Sequence, residues 1–260
     1  MERIMKIIGS DYDGTLNCGG MTREKFAAIR KWREAGNKLG IVTGRSPINR
    51  ERWKVEHPEL EYDFLAFCNG GYIVDENGGV IFEARCDSVP LTELTLYLFS
   101  QGCTSVHVDS GQRFVIAMLY RDEATKPLSE RDYYCIDEAP EVDYFNQVSV
   151  GLQTDEEAAA LAESIKLKYS GRLNALLNGV CIDIVPWGVD KAQGMYRVME
   201  HFGASHGDVI TVGDNVNDVD MLKEFFSYAM KSGVKAALEA ADDSVGDIME
   251  ILEKEGCGYA

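Results

Sequence analysis

The stretch Ile7-Ile8-Gly9-Ser10-Asp11-Tyr12-Asp13-Gly14-Thr15-Leu16 decides the fold. The run from Ile4 to Ile8 predicts a short buried strand, and it ends in two carboxylates one residue apart. In a strand, residues i and i+2 point to the same side, so Asp11 and Asp13 are expected to converge where the strand gives out. Gly14 allows the sharp turn that keeps both acids at the rim of a sheet. Convergent carboxylates repel, and such a pair holds a cation or runs acid/base chemistry. A solvated acidic turn after an edge strand has the same local sequence, and the decapeptide alone does not separate the two readings.

Outward from this stretch the pattern is regular. Thr22 to Ala35 predicts an amphipathic helix, with Phe26, Ile29 and Trp32 on one face, Thr22 as N-cap and Gly36 as stop. Lys38 to Thr43 predicts a second buried strand, and Gly44-Arg45-Ser46-Pro47 opens the next helix. Phe64 to Cys68 predicts a third strand, ending at Asn69-Gly70-Gly71. Strand and helix alternating at this pace predict an α/β fold with a doubly wound, Rossmann-like parallel sheet.

After a hairpin around Asp75-Glu76-Asn77-Gly78-Gly79 the rhythm changes. Helices at Pro90 to Gln101 and Asp155 to Tyr169 are interspersed with strands at Ser105 to Asp109, Phe114 to Tyr120, Gln147 to Leu152 and Arg172 to Leu177. Polar residues and a short helix are expected to lead to Gln147. This is the pattern of a separate α+β module, expected over 83–178. The parallel rhythm is expected to resume at Cys181 to Val185. A helix from Lys191 to Phe202 and a strand from Val209 to Val212 follow, the strand ending at Gly213-Asp214. Residues 1–82 and 179–260 then form one core, interrupted by the insert.

Composition limits the function. The 260 residues are 45% hydrophobic, enough for a sizeable core. A formal net charge of -17 disfavours nucleic acid and anionic membrane surfaces, and it obliges any anion site to supply local cations or a metal. Seven cysteines without CxxC spacing suit a reduced cytoplasm. His57, His107, His201 and His206 show no zinc spacing, and no segment approaches the roughly 20 apolar residues that cross a bilayer. The expected protein is soluble and cytoplasmic; the sequence leaves its oligomeric state open.

Four points adjoin predicted strand ends: Asp11 with Asp13, Thr43-Gly44-Arg45, Lys191, and Asp214 to Asp218. Ligands of open α/β sheets bind beyond the carboxyl ends of the strands, so these points can meet in space. Together they offer nucleophile, acid, hydroxyl, backbone amides, cation and metal-binding acids, which is what phosphoryl transfer requires. Each has a plainer reading: a helix cap at Thr43-Gly44, a surface lysine at Lys191, a calcium loop at GDNVND. That loop lacks the alternating oxygens and terminal Glu of an EF-hand. Arg45 suits either substrate contact or pairing with nearby acids.

At this point the residues resemble a family. DYDGT (Asp11 to Thr15), VTGR (Val42 to Arg45), Asp190-Lys191 and GDNVNDVDML (Gly213 to Leu222) look like the four motifs of the haloacid dehalogenase (HAD) superfamily of phosphatases. The last keeps every fixed letter of GDxxNDxxML. The insert resembles the cap of subfamily IIB, the Cof-like sugar-phosphate phosphatases. The resemblance implies a Mg²⁺-dependent phosphatase acting on a small phosphorylated metabolite of the sugar-phosphate kind, through an aspartyl-phosphate. It implies Asp11 as nucleophile and Asp13 as general acid/base, with Thr43, Gly44, Lys191 and Asn217 holding the phosphate. It implies Mg²⁺ on Asp11, Asp214 and the main-chain carbonyl of Asp13, with Asp218 acting from behind.

The departures from the family pattern are specific. Tyr12 stands where the family often has Leu or Phe, a matter of packing. Leu16 to Thr22 is too short for a cap, so the later insert is the only one. Lys231-Ser232-Gly233 replaces the usual glycine, asparagine and alanine, which puts one phosphate-side contact in doubt. The alternatives are a phosphomutase on the same core and a non-enzymatic phospho-receiver. Substrate-facing candidates in or near the cap are His107, Asp109, Arg113 and the Gly70-Gly71 junction, with packing or hinge geometry as the plainer reading for each.

Overall fold

The computed structural model describes residues 5–111, 113–118, 132–135 and 142–256. The first sheet grows outward from β1 (Ile7–Ser10). On one side lie β2 (Lys38–Val42), β3 (Phe64–Phe67), β4 (Tyr72–Asp75) and β5 (Val80–Glu83). On the other lie β12 (Val209–Gly213), β13 (Phe226–Met230) and β14 (Asp243–Val245). All pairings from β14 through β3 are parallel, and β4 and β5 close one edge as antiparallel strands. The chain runs from β1 toward β3 and returns to β12 on the opposite flank of β1. The order therefore reverses between β1 and β12, the place where open α/β sheets leave a crevice.

Both faces of this sheet are covered, which is why its strands read as unbroken apolar runs. Alternate residues pack to opposite sides. Ile8, Leu39, Ile41, Leu65 and Ile210 join Phe26, Ile29 and Trp32 of α1 (Arg23–Glu34) and Ile248, Ile251 and Leu252 of α8 (Ile248–Gly256). Ile7, Val42, Phe64, Ala66 and Val209 join Ala192, Met195 and Val198 of α5 (Lys191–Phe202) and Met221 of α6 (Val219–Glu224). Thr22 caps α1, accepting the Lys25 amide at 3.3 Å, as its sequence predicts. The shorter helices α2 (Asn49–Glu56) and α7 (Lys235–Ala240) complete the cover.

The second sheet has the order β10 (Leu173–Asn178), β11 (Cys181–Pro186), β9 (Gln147–Gly151), β6 (Ser105–Ser110), β7 (Arg113–Met118), β8 (Asp132–Cys135). It is antiparallel except for β7 beside β8. The helices α3 (Leu91–Ser100) and α4 (Asp155–Lys168) pack on one face, burying Leu94, Leu98, Ala158, Leu161 and Ile165 against Val106, Val148, Ile182 and Ile184.

One expectation is corrected here. Cys181 to Val185 does not resume the parallel sheet: as β11 it pairs antiparallel with β10 and β9, so the division expected at 178/179 cuts through a hairpin. The misreading has a physical cause. One face of β11, Ile182 and Ile184, enters the second core, while Asp183 on the other is also buried, bonded to Asn69 at the end of β3. Burial on both faces erases the alternation that marks an antiparallel strand. The polar stretch before Gln147 contributes strand β8 at Asp132–Cys135; the rest of that stretch, including any short helix, lies outside the described residues.

Candidate active site

Strand β1 ends at Ser10, and Asp11 continues it by one hydrogen bond, its amide donating to Val212 O at 2.9 Å. The backbone then folds into a tight turn over Tyr12–Leu16, with Leu16 N donating to Asp11 O at 3.1 Å. Gly14 has φ +79°, and a β-carbon there would lie 2.5 Å from Asp214 Oδ2, so both conformation and space demand glycine. The turn sends the two acids to different partners, in place of the shared face that strand geometry predicts. Asp11 is 7% exposed and its Oδ1 accepts Lys191 Nζ at 2.7 Å. Asp13 has a side chain 56% exposed, and both its oxygens are held by Arg45, at 2.7 Å from Nε and 2.6 Å from Nη2. Tyr12 packs away from both, its ring 4.5 Å from that of Trp53, as expected for a packing position.

Lys191 is the first residue of α5, whose N-cap Asp190 accepts the Gln193 amide at 2.7 Å. Its ammonium is fully buried, yet it bridges Asp11 Oδ1 at 2.7 Å and Asp218 Oδ1 at 2.5 Å. Burial works against that charge, but the two carboxylates outweigh it and hold the ammonium above its ordinary pKa. Burial pushes Asp11 up to about 7, opposed by Lys191 and assisted by Asp218. Asp218 is also fully used on its other oxygen, which accepts the amides of Asp214 and Asn215, each at 2.9 Å. Asp214 accepts Thr15 Oγ1 at 2.6 Å, and burial raises its carboxyl.

These groups fit a divalent cation. Carboxylate oxygens of Asp11, Asp214 and Asp218 lie within 4.8 Å of one another. Three carboxylates and one ammonium leave two negative charges uncompensated when all are ionised. Asp218 has spent both oxygens on Lys191 and backbone amides, whereas Asp11 Oδ2 and Asp214 Oδ2 have no hydrogen-bond partner among the described residues. Hard cations such as Mg²⁺ take oxygen ligands of this kind.

Thr43 follows β2, 2% exposed, its hydroxyl accepting the Arg45 amide at 3.2 Å. Arg45 stacks its guanidinium over Tyr12 and Trp53, with ring centroids 5.2 and 5.8 Å away. Asn217, half-buried in the loop after β12, reaches Asn69 Oδ1 at 3.4 Å. In the segment Lys231-Ser232-Gly233, a β-carbon on Gly233 would lie 2.8 Å from Asp214 O. The next amide, Val234 N, donates to that carbonyl at 2.8 Å.

The second sheet meets the first at these strand ends, and here lie residues that sequence reasoning missed. Gln147 Nε2 donates to Gly44 O at 2.8 Å and to Ser149 Oγ at 3.1 Å. Asn69, Asp183 and Ser149 complete a buried polar cluster, and the Ser46 hydroxyl donates to Asp109. Of the cap candidates, Asp109 is 2% exposed and bonded to the core. His107 lies on β6, while the Arg113 side chain is outside the described residues. The Gly70-Gly71 junction packs on α5.

A doubly wound sheet with acids and a buried lysine gathered at its switch point is the frame of a phosphoryl-transfer or related hydrolytic enzyme. The profile of the haloacid dehalogenase-like hydrolases matches residues 8–250, and the chain belongs to that family. It is similar to the 5-amino-6-(5-phospho-D-ribitylamino)uracil phosphatase YbjI of Escherichia coli, 24% identical over 266 residues and covering 96% of each chain. It is also similar to the pyridoxal phosphate phosphatase YbhA of the same organism, 26% identical over 262 residues, covering 92% of this chain and 90% of that one. A solved structure described as an HAD subclass IIB sugar phosphatase shares the fold, with TM-score 0.78 at 18% identity, covering 97% of this chain and 99% of that one. Among the described residues no helix is long and apolar enough to cross a membrane.

Proposed function

We propose that the protein is a Mg²⁺-dependent phosphatase of small phosphorylated metabolites in the cytoplasm, with sugar phosphates the first class to assay. The observation that carries the reading is the buried ammonium of Lys191 bridging Asp11 and Asp218 at 2.7 and 2.5 Å, with Asp214 alongside. Asp11 is the nucleophile: the carboxylate oxygen it does not lend to the cation attacks phosphorus and forms an aspartyl-phosphate. Lys191 holds Asp11 in orientation and offsets charge on the phosphoryl group. The Thr43 hydroxyl, the Gly44 amide and the Asn217 amide contact its oxygens. Asp11, Asp214 and the main-chain carbonyl of Asp13 would hold Mg²⁺, which would supply charge neutralisation at the same oxygens.

Asp13 is the general acid, protonating the leaving oxygen and then taking a proton from the hydrolytic water. Without substrate it is clamped by Arg45, so the phosphate's negative charge must draw the guanidinium away and release the acid for its task. The relatives named for phosphorylated small molecules support this substrate class. In this reading the core comprises 5–83 and 187–256, and 84–186 is a cap that excludes bulk water. Asp11→Asn is expected to cut Mg²⁺-dependent hydrolysis of p-nitrophenyl phosphate at least about a thousandfold while circular dichroism stays native. Turnover retained in that variant sinks the assignment.

A further inference from the structure

A chain of amides and one buried acid runs from the second sheet into the phosphate-facing loop of the first, and the reaction as described above makes no use of it. Asp183 on β11 accepts Ser149 Oγ on Oδ1 at 2.7 Å and Asn69 Nδ2 on Oδ2 at 2.9 Å. The other hydrogen of that Asn69 nitrogen goes to Gln147 Oε1 at 3.0 Å. Asn69 is fully buried, and its carbonyl oxygen faces Asn217 Nδ2 at 3.4 Å. Its side chain is aimed by an unusual backbone: Cys68 and Asn69 both have positive φ, +52° and +53°, followed by Gly70 at +90°. Two successive non-glycine residues in that region are uncommon, and they persist where the surroundings hold them.

Donor and acceptor accounting makes the chain directional. Oδ2 of Asp183 must be met by a donor, whether the acid is ionised or carries a proton on Oδ1. The Asn69 nitrogen therefore faces Asp183, and the Asn69 carbonyl is turned to Asn217. Asn217 must in turn present its nitrogen. One of its two hydrogens is spent on Asn69, and the other is left for an acceptor in the site. Were Asn69 free to rotate by half a turn, Asn217 would be equally free to offer its carbonyl, whose lone pairs repel a phosphoryl oxygen.

We infer that Asp183, acting through Asn69, is a positioning residue that fixes Asn217 as a hydrogen-bond donor toward the phosphoryl group. Asp183 and Gln147 lie on strands of the second sheet, whereas Asn69 and Asn217 lie in the turns that follow β3 and β12 of the first. The donor is thus set only while the two sheets are seated together, which ties phosphate recognition to the closed arrangement. This inference rests on the phosphatase reading for the identity of the ligand.

The test is a double-mutant cycle read by inorganic phosphate binding in the presence of Mg²⁺, using calorimetry on the full chain, with KM for p-nitrophenyl phosphate alongside. Asp183→Asn leaves shape and size almost unchanged but lets the amides invert. It is expected to weaken phosphate binding and raise KM about tenfold, since hydrogen bonds to charged groups contribute most. In an Asn217→Ala background the same change is expected to cost nothing further. A second variant, Asp183→Asn with Asn69→Asp, again places an acceptor before Asn217 and is expected to recover binding to within about threefold. The relay is overturned if Asp183→Asn binds phosphate as the parent does, if its cost is unchanged in the Asn217→Ala background, or if the swap restores folding without restoring binding. A parent that binds phosphate yet hydrolyses no phosphate ester contradicts the phosphatase reading instead, and the cycle still reads the relay.

Discussion

Asp109 shows how a single buried acid writes itself into the pH dependence of the fold. It is 2% exposed, takes a hydrogen bond from Ser46, and is faced by Asp183 and the Cys68 thiol with no cation in contact among the described residues. Burial pushes its carboxyl up to about 7, with the Ser46 hydrogen bond opposing and Asp183 adding. Between pH 4 and 7 the unfolded chain has released this proton and the folded chain has kept it, so stability falls as pH rises. The interval from the model-peptide value of 3.8 to about 7 corresponds to about 4 kcal/mol. Urea unfolding of wild type and Asp109→Asn at several pH values should show the wild type losing stability relative to the variant across that window. A difference that stays constant with pH contradicts the assignment. At this scale Asp11, Asp214 and Lys191 were legible because each stands in a short pattern whose chemistry is local. Asp183, Asn69 and Gln147 were not, because they come together only through the apposition of two sheets, which no spacing along the chain encodes.

Elements hold these residues through a few close contacts. The turn at Cys68–Gly70, which joins β3 to β4, packs on the start of α5, where Gly70 sits against backbone. Its φ is +90°, and a β-carbon there would lie 2.8 Å from both Asp190 O and Gly194 Cα. Gly70→Ala is therefore expected to cost about 1–3 kcal/mol in urea unfolding. It should also lower kcat in the surviving folded fraction, because α5 carries Lys191 at its first turn; full activity in a folded variant would refute that link. The parallel strands and α1 were readable from apolar runs and from Thr22. The course of β11 was not, because a strand buried on one face by helices and on the other by a neighbouring sheet looks like a central parallel strand.

At the scale of the whole molecule, a chain of net charge -17 must handle an anionic substrate. In the proposed reading it does so by placing positive charge at the switch point, where Lys191 and Arg45 flank the acids that a divalent cation would neutralise. The second sheet covers this point through Gln147 on Gly44, Asp109 on Ser46, and Asn178 accepting from Asn215 at 2.9 Å. Two steps at one phosphorus, first by Asp11 and then by water, are the centre of the account. Hydrolysis of an isotopically chiral phosphorothioate monoester in isotopically labelled water tests this most directly, because each in-line displacement inverts phosphorus. Two successive displacements through Asp11 predict net retention of configuration in the released thiophosphate; net inversion would mean direct attack by water and would contradict the account.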